Sequence, residues 1–192
     1  MTDVTARSPV LDALLTRRSV GALAEPAPSA DQLETILRAA TTAPDHGGLR
    51  PYRFVVIDAP SHARFGEALA HDTDLARGGI TEEVKAKFRK KAGTAPVQVL
   101  IVFSPVESTK APEWEQLVTA SCTGYPMLLA ASALGLGAAW RSAAVLDGPA
   151  MTDLCGLRPH ERVLGWLNIG TPVTDAPRER EPVALDGLVM RP

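Results

Sequence analysis

Aromatic residues make up only 5% of this 192-residue chain, which leaves no platform on which the bases of a single-stranded nucleic acid would stack. Positive charge is not in excess either. With 20 Lys and Arg against 22 Asp and Glu, the formal net charge is −2, so no basic footprint attracts a phosphate backbone. Cysteine is nearly absent: Cys122 and Cys155 form no Cys-x-x-Cys pair, and no secretory pattern precedes them. A cytoplasmic protein with reduced thiols is expected. The longest apolar stretch, Tyr125 to Trp140, is too short and too interrupted by glycine to span a bilayer, and reads as a core helix.

Several motifs are also missing. Neither a Gly-x-x-x-x-Gly-Lys-Ser/Thr phosphate loop nor a Gly-x-Ser-x-Gly elbow occurs, which excludes the commonest nucleotide-phosphate and hydrolase signatures. His46, His62, His71 and His160 never stand three or four residues apart, so no metal site is expected. Gly135-x-Gly137 closes a helix and has Trp140 in the place of a third glycine. A dinucleotide fingerprint instead sets its glycines at a helix N-terminus, where the phosphate binds. Glu113, Glu115 and Asp45 are acids without a distinguishing context, and no catalytic residue is assigned.

Apolar residues at 45% and charged residues at 22% describe one globular unit able to bury its own core. Pro9 to Thr16 has helical spacing, and Ser29 with Gln32 forms a capping signature for a second helix that must stop before Pro44. Phe54–Ile57, Val97–Phe103, Ala138–Ser142 and Val163–Ile169 read as strands, the second buried on both faces. His62–Ala76 and Thr81–Lys91 read as helices. A long helix is predicted from about Glu113 to Leu134, apolar all round after Leu117 and therefore enclosed by other elements or by a partner subunit. Helices and strands in this order make a two- or three-layer α/β arrangement without regular βαβ alternation.

Three segments carry chemistry. Arg17-Arg18-Ser19 ends the first helix, and two guanidinium forks beside a hydroxyl form an anion clamp or else complement the helix dipole. Ala43-Pro44-Asp45-His46-Gly47-Gly48, followed by Leu49-Arg50-Pro51-Tyr52, is an irregular loop that can bring amides and an imidazole to a ligand, or simply turn the chain. Trp140-Arg141-Ser142 leaves a buried strand, as the wall of a pocket with one charge or as a strand end.

In this order and spacing the segments resemble the nitroreductase family, in particular its compact branch of NAD(P)H nitroreductases, which lacks the larger lid helices. The similarity runs from about Leu11 to Pro172 and includes Gly170-Thr171-Pro172 after the last strand. It implies an α+β fold with a mostly antiparallel central sheet flanked by helices, including a long buried one. That fold would occupy residues 8–172, ahead of an extended or disordered tail over 173–192. It further implies an FMN-dependent oxidoreductase that passes hydride from NAD(P)H through the flavin to a small electron-poor acceptor, such as a nitro compound or quinone. The assembly implied is a homodimer with FMN at the interface, in the cytoplasm, without nucleic acid or membrane. Arg17, Arg18 and Ser19 match the segment holding the FMN phosphate and ring edge. His46 matches a contact from the opposite subunit, and Trp140, Arg141 and Ser142 match the remaining FMN segment. Ala130–Gly135 matches a stretch assigned to NAD(P)H. Two positions depart from the pattern: Thr42 stands where an Arg is usual, and Arg50-Pro51-Tyr52 replaces Gln-Pro-Trp. Other flavin chemistry on the same scaffold, such as reductive dehalogenation or flavin breakdown, is the alternative reading, followed by a flavin-binding protein without turnover and a plain dimeric interaction module.

Overall fold

The computed structural model describes residues 8–174 and 183–191. The polar N-terminus over 1–7 lies outside these residues, as does the tail over 175–182 and at 192.

The sheet is built on two strands. β3 (Val97–Phe103) is buried at all seven positions, as its unbroken Val, Leu and Ile require. Burying each such side chain is worth roughly 1.5–3 kcal/mol. β5 (Arg162–Pro172) runs antiparallel beside it. Outside β3 lies β2 (Tyr52–Ile57), and outside β5 lies β4 (Gly137–Arg141), both antiparallel to their neighbours. A two-residue strand, β1 (Leu23–Ala24), pairs with the end of β5 at Thr171 and Pro172. Every strand pairing among the described residues is antiparallel.

Alternation along the strands sorts the core onto two faces. Leu100, Val102 and Trp166 pack with Phe65, Leu69 and Met151 on one face, which carries α3 (His62–Ala76), α4 (Glu82–Ala92) and α7 (Pro149–Cys155). Val99, Ile101, Leu167 and Ile169 pack with Ile36, Met127 and Ala131 on the other, which carries α2 (Ala30–Ala40). The layers are therefore three. The predicted capping of α2 is present on both sides: Ser29 Oγ accepts from Gln32 N at 3.2 Å and Gln32 Oε1 accepts from Ser29 N at 2.9 Å.

The helix expected as one rod from Glu113 to Leu134 is two, α5 (Glu113–Cys122) and α6 (Gly124–Ala133), meeting at Thr123. Pro126 is the reason. It offers no N–H to the Cys122 carbonyl, and its ring crowds that carbonyl. Thr123 turns its hydroxyl back to the Ala120 carbonyl at 2.7 Å. Enclosure is also incomplete: Trp114, Val118 and Tyr125 stay 66, 53 and 41% exposed along one stripe. Short α1 (Pro9–Thr16) touches α6 and leaves Val10, Leu11 and Leu15 exposed. Within the tail, Val183, Leu185, Leu188, Val189 and Met190 are exposed around a turn at Leu185–Leu188. Among the described residues, no helix is long and apolar enough to cross a membrane.

Candidate functional site

A cavity of about 690 Å³ opens where the end of α1, the chain from Arg17 to Ala22, α6 and β4 meet, a size suited to a bound cofactor. Thr16, Arg17, Arg18 and Ser19 line one side, with Ser132 and Leu136 opposite. The local sequence explains the shape. Ser8 caps α1 by accepting from Leu11 N, and Pro9 stands at its first turn, where its missing N–H costs nothing. At Arg17 the backbone leaves the helix for an extended conformation, φ −51°, ψ 138°. The chain then runs beside β4, and Val20 N donates to the Ala138 carbonyl at 3.0 Å.

The two arginines take different roles. Arg18 Nη1 donates to the carbonyls of Thr16 and Arg17, each at 2.8 Å, and more loosely to Leu15 at 3.4 Å. It thus closes the C-terminus of α1 and adds a cation where the dipole favours one. Arg17 sits with its guanidinium 5.7 Å from the centre of the Tyr125 ring. Its Nε and Nη1 are buried and have no hydrogen-bond partner among the described residues. A buried, unmet guanidinium is costly unless an anion or carbonyl reaches it, so Arg17 fits a ligand phosphate by chemistry as well as by position.

Trp140-Arg141-Ser142 is brought beside this loop, but its three side chains behave differently. Arg141 is exposed, and its Nη2 lies where a Cβ on Gly21 would come within 3.1 Å. Gly21 thus leaves room for a second guanidinium at the loop. The Trp140 indole turns into the core instead, filling a slot between two glycines: a Cβ on Gly124 would sit 2.1 Å from the ring, and one on Gly165 2.7 Å from its Nε1. Ser142 is exposed, and its carbonyl accepts from Lys91 Nζ at 3.4 Å.

His46 does not line this cavity. It sits on a one-turn 3-10 helix, His46–Gly48, in the loop between α2 and β2. Gly47 and Gly48 have φ of 82° and 65°, values that suit glycine. Asp45 holds the turn by accepting from the amides of Leu49 at 3.0 Å and Arg50 at 2.7 Å, which offsets the left-handed backbone at Arg50 (φ 51°). Burial, then the charge of Asp45, raises the Tyr52 phenol above its ordinary pKa. Thr119 on α5 donates to the Pro44 carbonyl at 2.9 Å, and His46 Nδ1 meets Glu115 Oε2 at 2.9 Å. Thr42 ends α2 by donating to the Ala39 carbonyl at 2.8 Å.

The structure thus gathers Arg17, Arg18, Ser19 and Arg141, turns the Trp140 ring between Gly124 and Gly165, and leaves His46 off the cavity, against Glu115 of α5. Gly21, Gly124 and Gly165 escaped the sequence reading because the value of a glycine lies in what packs on it. A partial signal existed for Gly21, a glycine two places after a cationic clamp.

The Nitroreductase family model matches residues 14–171. YdjA of Escherichia coli K12, which carries the name of an NAD(P)H nitroreductase, is 38% identical over 84% of this chain and 87% of its own. A Haemophilus influenzae protein similarly named is 37% identical over 88% and 91%. Among solved structures, a nitroreductase-like protein from Bacillus cereus superposes with a TM-score of 0.78 at 22% identity, covering 98% of both chains. A nitroreductase from Desulfovibrio desulfuricans, solved in complex with FMN, does so with 0.72 at 26% identity, covering 97% and 98%.

Proposed function

The chain belongs to the nitroreductase family, and from that premise we propose that it is a cytoplasmic, homodimeric FMN-dependent oxidoreductase. It takes hydride from NADH or NADPH and delivers reducing equivalents to a small electron-poor acceptor such as a nitro compound or quinone. The observation that carries the reading is Arg17, whose buried Nε and Nη1 lack a partner among the described residues and which lines a cavity of cofactor size. The FMN of the Desulfovibrio structure and the names of the curated relatives support it.

FMN, when bound, supplies the two-electron chemistry that side chains lack. Arg17 and Ser19 hold the phosphate, a charge-assisted contact in which guanidinium geometry matters. Arg141, seated over Gly21, adds positive charge at the loop, where donors would stabilise negative charge developing on reduction. Arg18 keeps α1 closed, so that Arg17 is presented at a fixed place. The stretch around Ser132 and Gly135 borders the same cavity and offers small side chains against which a nicotinamide donor would lie.

His46 stands off the cavity, and Trp114, Val118 and Tyr125 leave an apolar stripe exposed on the same side. Both fit a site completed by a second copy, whose His46 would reach the flavin. FMN titrated into flavin-free protein during sedimentation should give a dimer with one FMN per chain. Kept anaerobic, the holoprotein should then oxidise NADH or NADPH beyond one equivalent per flavin only when a nitro compound or quinone is supplied. No FMN uptake overturns the cofactor; uptake without acceptor-dependent turnover overturns the reductase.

A further inference from the structure

We infer that Gly137 is a positioning residue for Arg17 and Ser19: with Gly170 it clears one rung of the sheet, the chain from Val20 to Ala24 is seated there, and this seat sets where the two side chains meet the flavin phosphate. The inference rests on the functional reading above and adds to it the residue that places the clamp.

Gly137 opens β4 and stands opposite Gly170 in the β4–β5 ladder. Opposed residues of an antiparallel pair project to the same face, so this rung carries no side chain there. The space is occupied. A Cβ on Gly137 would lie 2.5 Å from Leu23 Cδ2 and 3.0 Å from Val20 Cγ1, and one on Gly170 would lie 2.6 Å from Pro96 Cδ and 3.1 Å from the Ala24 carbonyl oxygen. Backbone pairing holds the same segment. Val20 N donates to the Ala138 carbonyl at 3.0 Å, and Val173 N to the Ala22 carbonyl at 3.1 Å. Leu23 and Ala24 pair with Pro172 and Thr171, and the Thr171 hydroxyl donates to the Pro26 carbonyl at 2.8 Å. Upstream the hold is lighter: α1 buries none of its residues and leaves Val10, Leu11 and Leu15 at least half exposed. Arg18 shapes the turn that ends α1, and the segment after the turn ties it to the sheet.

An outer strand such as β4 gains from being covered in any case, but that service needs only backbone contact and is indifferent to a phosphate. The clamp is not indifferent. Arg17, Arg18 and Ser19 line the cavity directly ahead of Val20, so a shift of Val20 and Leu23 reaches them through a few peptide units. A Cβ at 2.5 Å from Leu23 stands about 1 Å inside ordinary carbon contact. Gly137 is buried in the ladder while Val20 and Leu23 are half-buried, so the segment moves and the sheet does not. A bound group must be met to within roughly 0.5 Å for its contacts to count, and a displacement of this size takes the guanidinium and the hydroxyl out of reach of a phosphate.

The test is the affinity of the flavin-free protein for FMN and for riboflavin, which lacks the phosphate, by fluorescence titration. The proteins are wild type, Gly137→Ala, Leu23→Ala, the two together, and Gly137→Ala in the Arg17→Ala background. Gly137→Ala should weaken FMN about tenfold, as for a charge-assisted hydrogen bond put out of reach, and leave riboflavin unchanged. Leu23→Ala empties the seat instead of overfilling it. It should lower the ratio of FMN to riboflavin affinity by a smaller factor, and it carries the comparison should Gly137→Ala not fold. The two together exchange a side chain for a methyl at one place and should stand nearer wild type than Gly137→Ala alone. In the Arg17→Ala background, Gly137→Ala should cost FMN little more. FMN affinity unchanged in both single variants, an equal loss for both flavins, or a cost of Gly137→Ala undiminished by Arg17→Ala overturns the inference and leaves the FMN reading standing. A wild type that binds FMN no tighter than riboflavin removes the phosphate clamp and the inference with it, and a wild type that takes up neither flavin overturns the proposed function as well.

Discussion

The two faces of the sheet are finished to different degrees. Beneath α3 and α7 the buried carboxylates of Asp72 and Glu161 are met from within the chain. Asp72, 1% exposed, accepts from Ala150 N at 3.0 Å and Met151 N at 2.8 Å, and so caps α7 from a neighbouring helix. Glu161, its side chain 3% exposed, accepts from Arg53 and Arg158, while Arg53 also donates to the last carbonyls around α7. Across the sheet, α1, α5 and α6 leave Arg17 Nε and Nη1 buried without a partner among the described residues, an apolar stripe open and a histidine exposed on a braced loop. Physical chemistry tolerates one unpaired buried guanidinium where a ligand is to supply the anion. On the proposed reading, the difference between the faces separates what folds the chain from what it works with.

Breaking the finished side should cost the most. Glu161→Ala leaves Arg53 without its carboxylate, and should destabilise the fold by about 1.5–3 kcal/mol in urea unfolding, with FMN affinity unchanged in the protein that remains folded. Hydrogen bonding from Arg53, then from Arg158, holds the Glu161 carboxyl well below the ordinary carboxylate range. Its contribution is therefore complete above the unfolded pKa of about 4.3 and drains away as pH falls from there toward the lower folded value. Acid unfolding of Glu161→Gln should lack that component.

Gly124→Ala tests the seam between the two regions. A Cβ there would sit 2.1 Å from the Trp140 ring, so the indole must move or the helix must shift, at about 1–3 kcal/mol. Thermal melting should fall, and flavin affinity should fall with it. Stability lost without any change in flavin binding would detach Trp140 from the site altogether.

Arg17→Ala sharpens the comparison most. FMN affinity should drop about 10- to 100-fold, as for loss of a charge-assisted hydrogen bond. The flavin-free protein should melt at the same temperature or higher, because a buried unmet cation has been removed. A large loss of stability without FMN would place Arg17 among the structural residues instead. Arg141→Ala, at an exposed position, should weaken FMN about three- to tenfold by fluorescence titration and leave the melting temperature alone.

Much of the fold is legible in the sequence because its signals are local. The Ser29–Gln32 box, the unbroken run of β3 and the span of α3 each declare themselves within one element. The unfinished region is only half legible. Arg17 and Arg18 are identical and adjacent, and only the turn of the backbone at Arg17 decides which one caps and which is left over. Apolar composition alone predicts one helix over 113–134, and Pro126 makes it two. Trp140 reads as a pocket wall until Gly124 and Gly165, 16 residues before and 25 after, are seen to make its slot. The pairing of His46 with Glu115 has no local signature at all.

The central claim, that the unfinished side is a flavin site that turns over, is tested most directly by the absorbance spectrum of the FMN-loaded protein before and after anaerobic addition of NADH or NADPH. The account predicts flavin bands that bleach with at least one of the two nucleotides and return when a quinone or nitro compound is admitted. A spectrum unchanged by both nucleotides would contradict it.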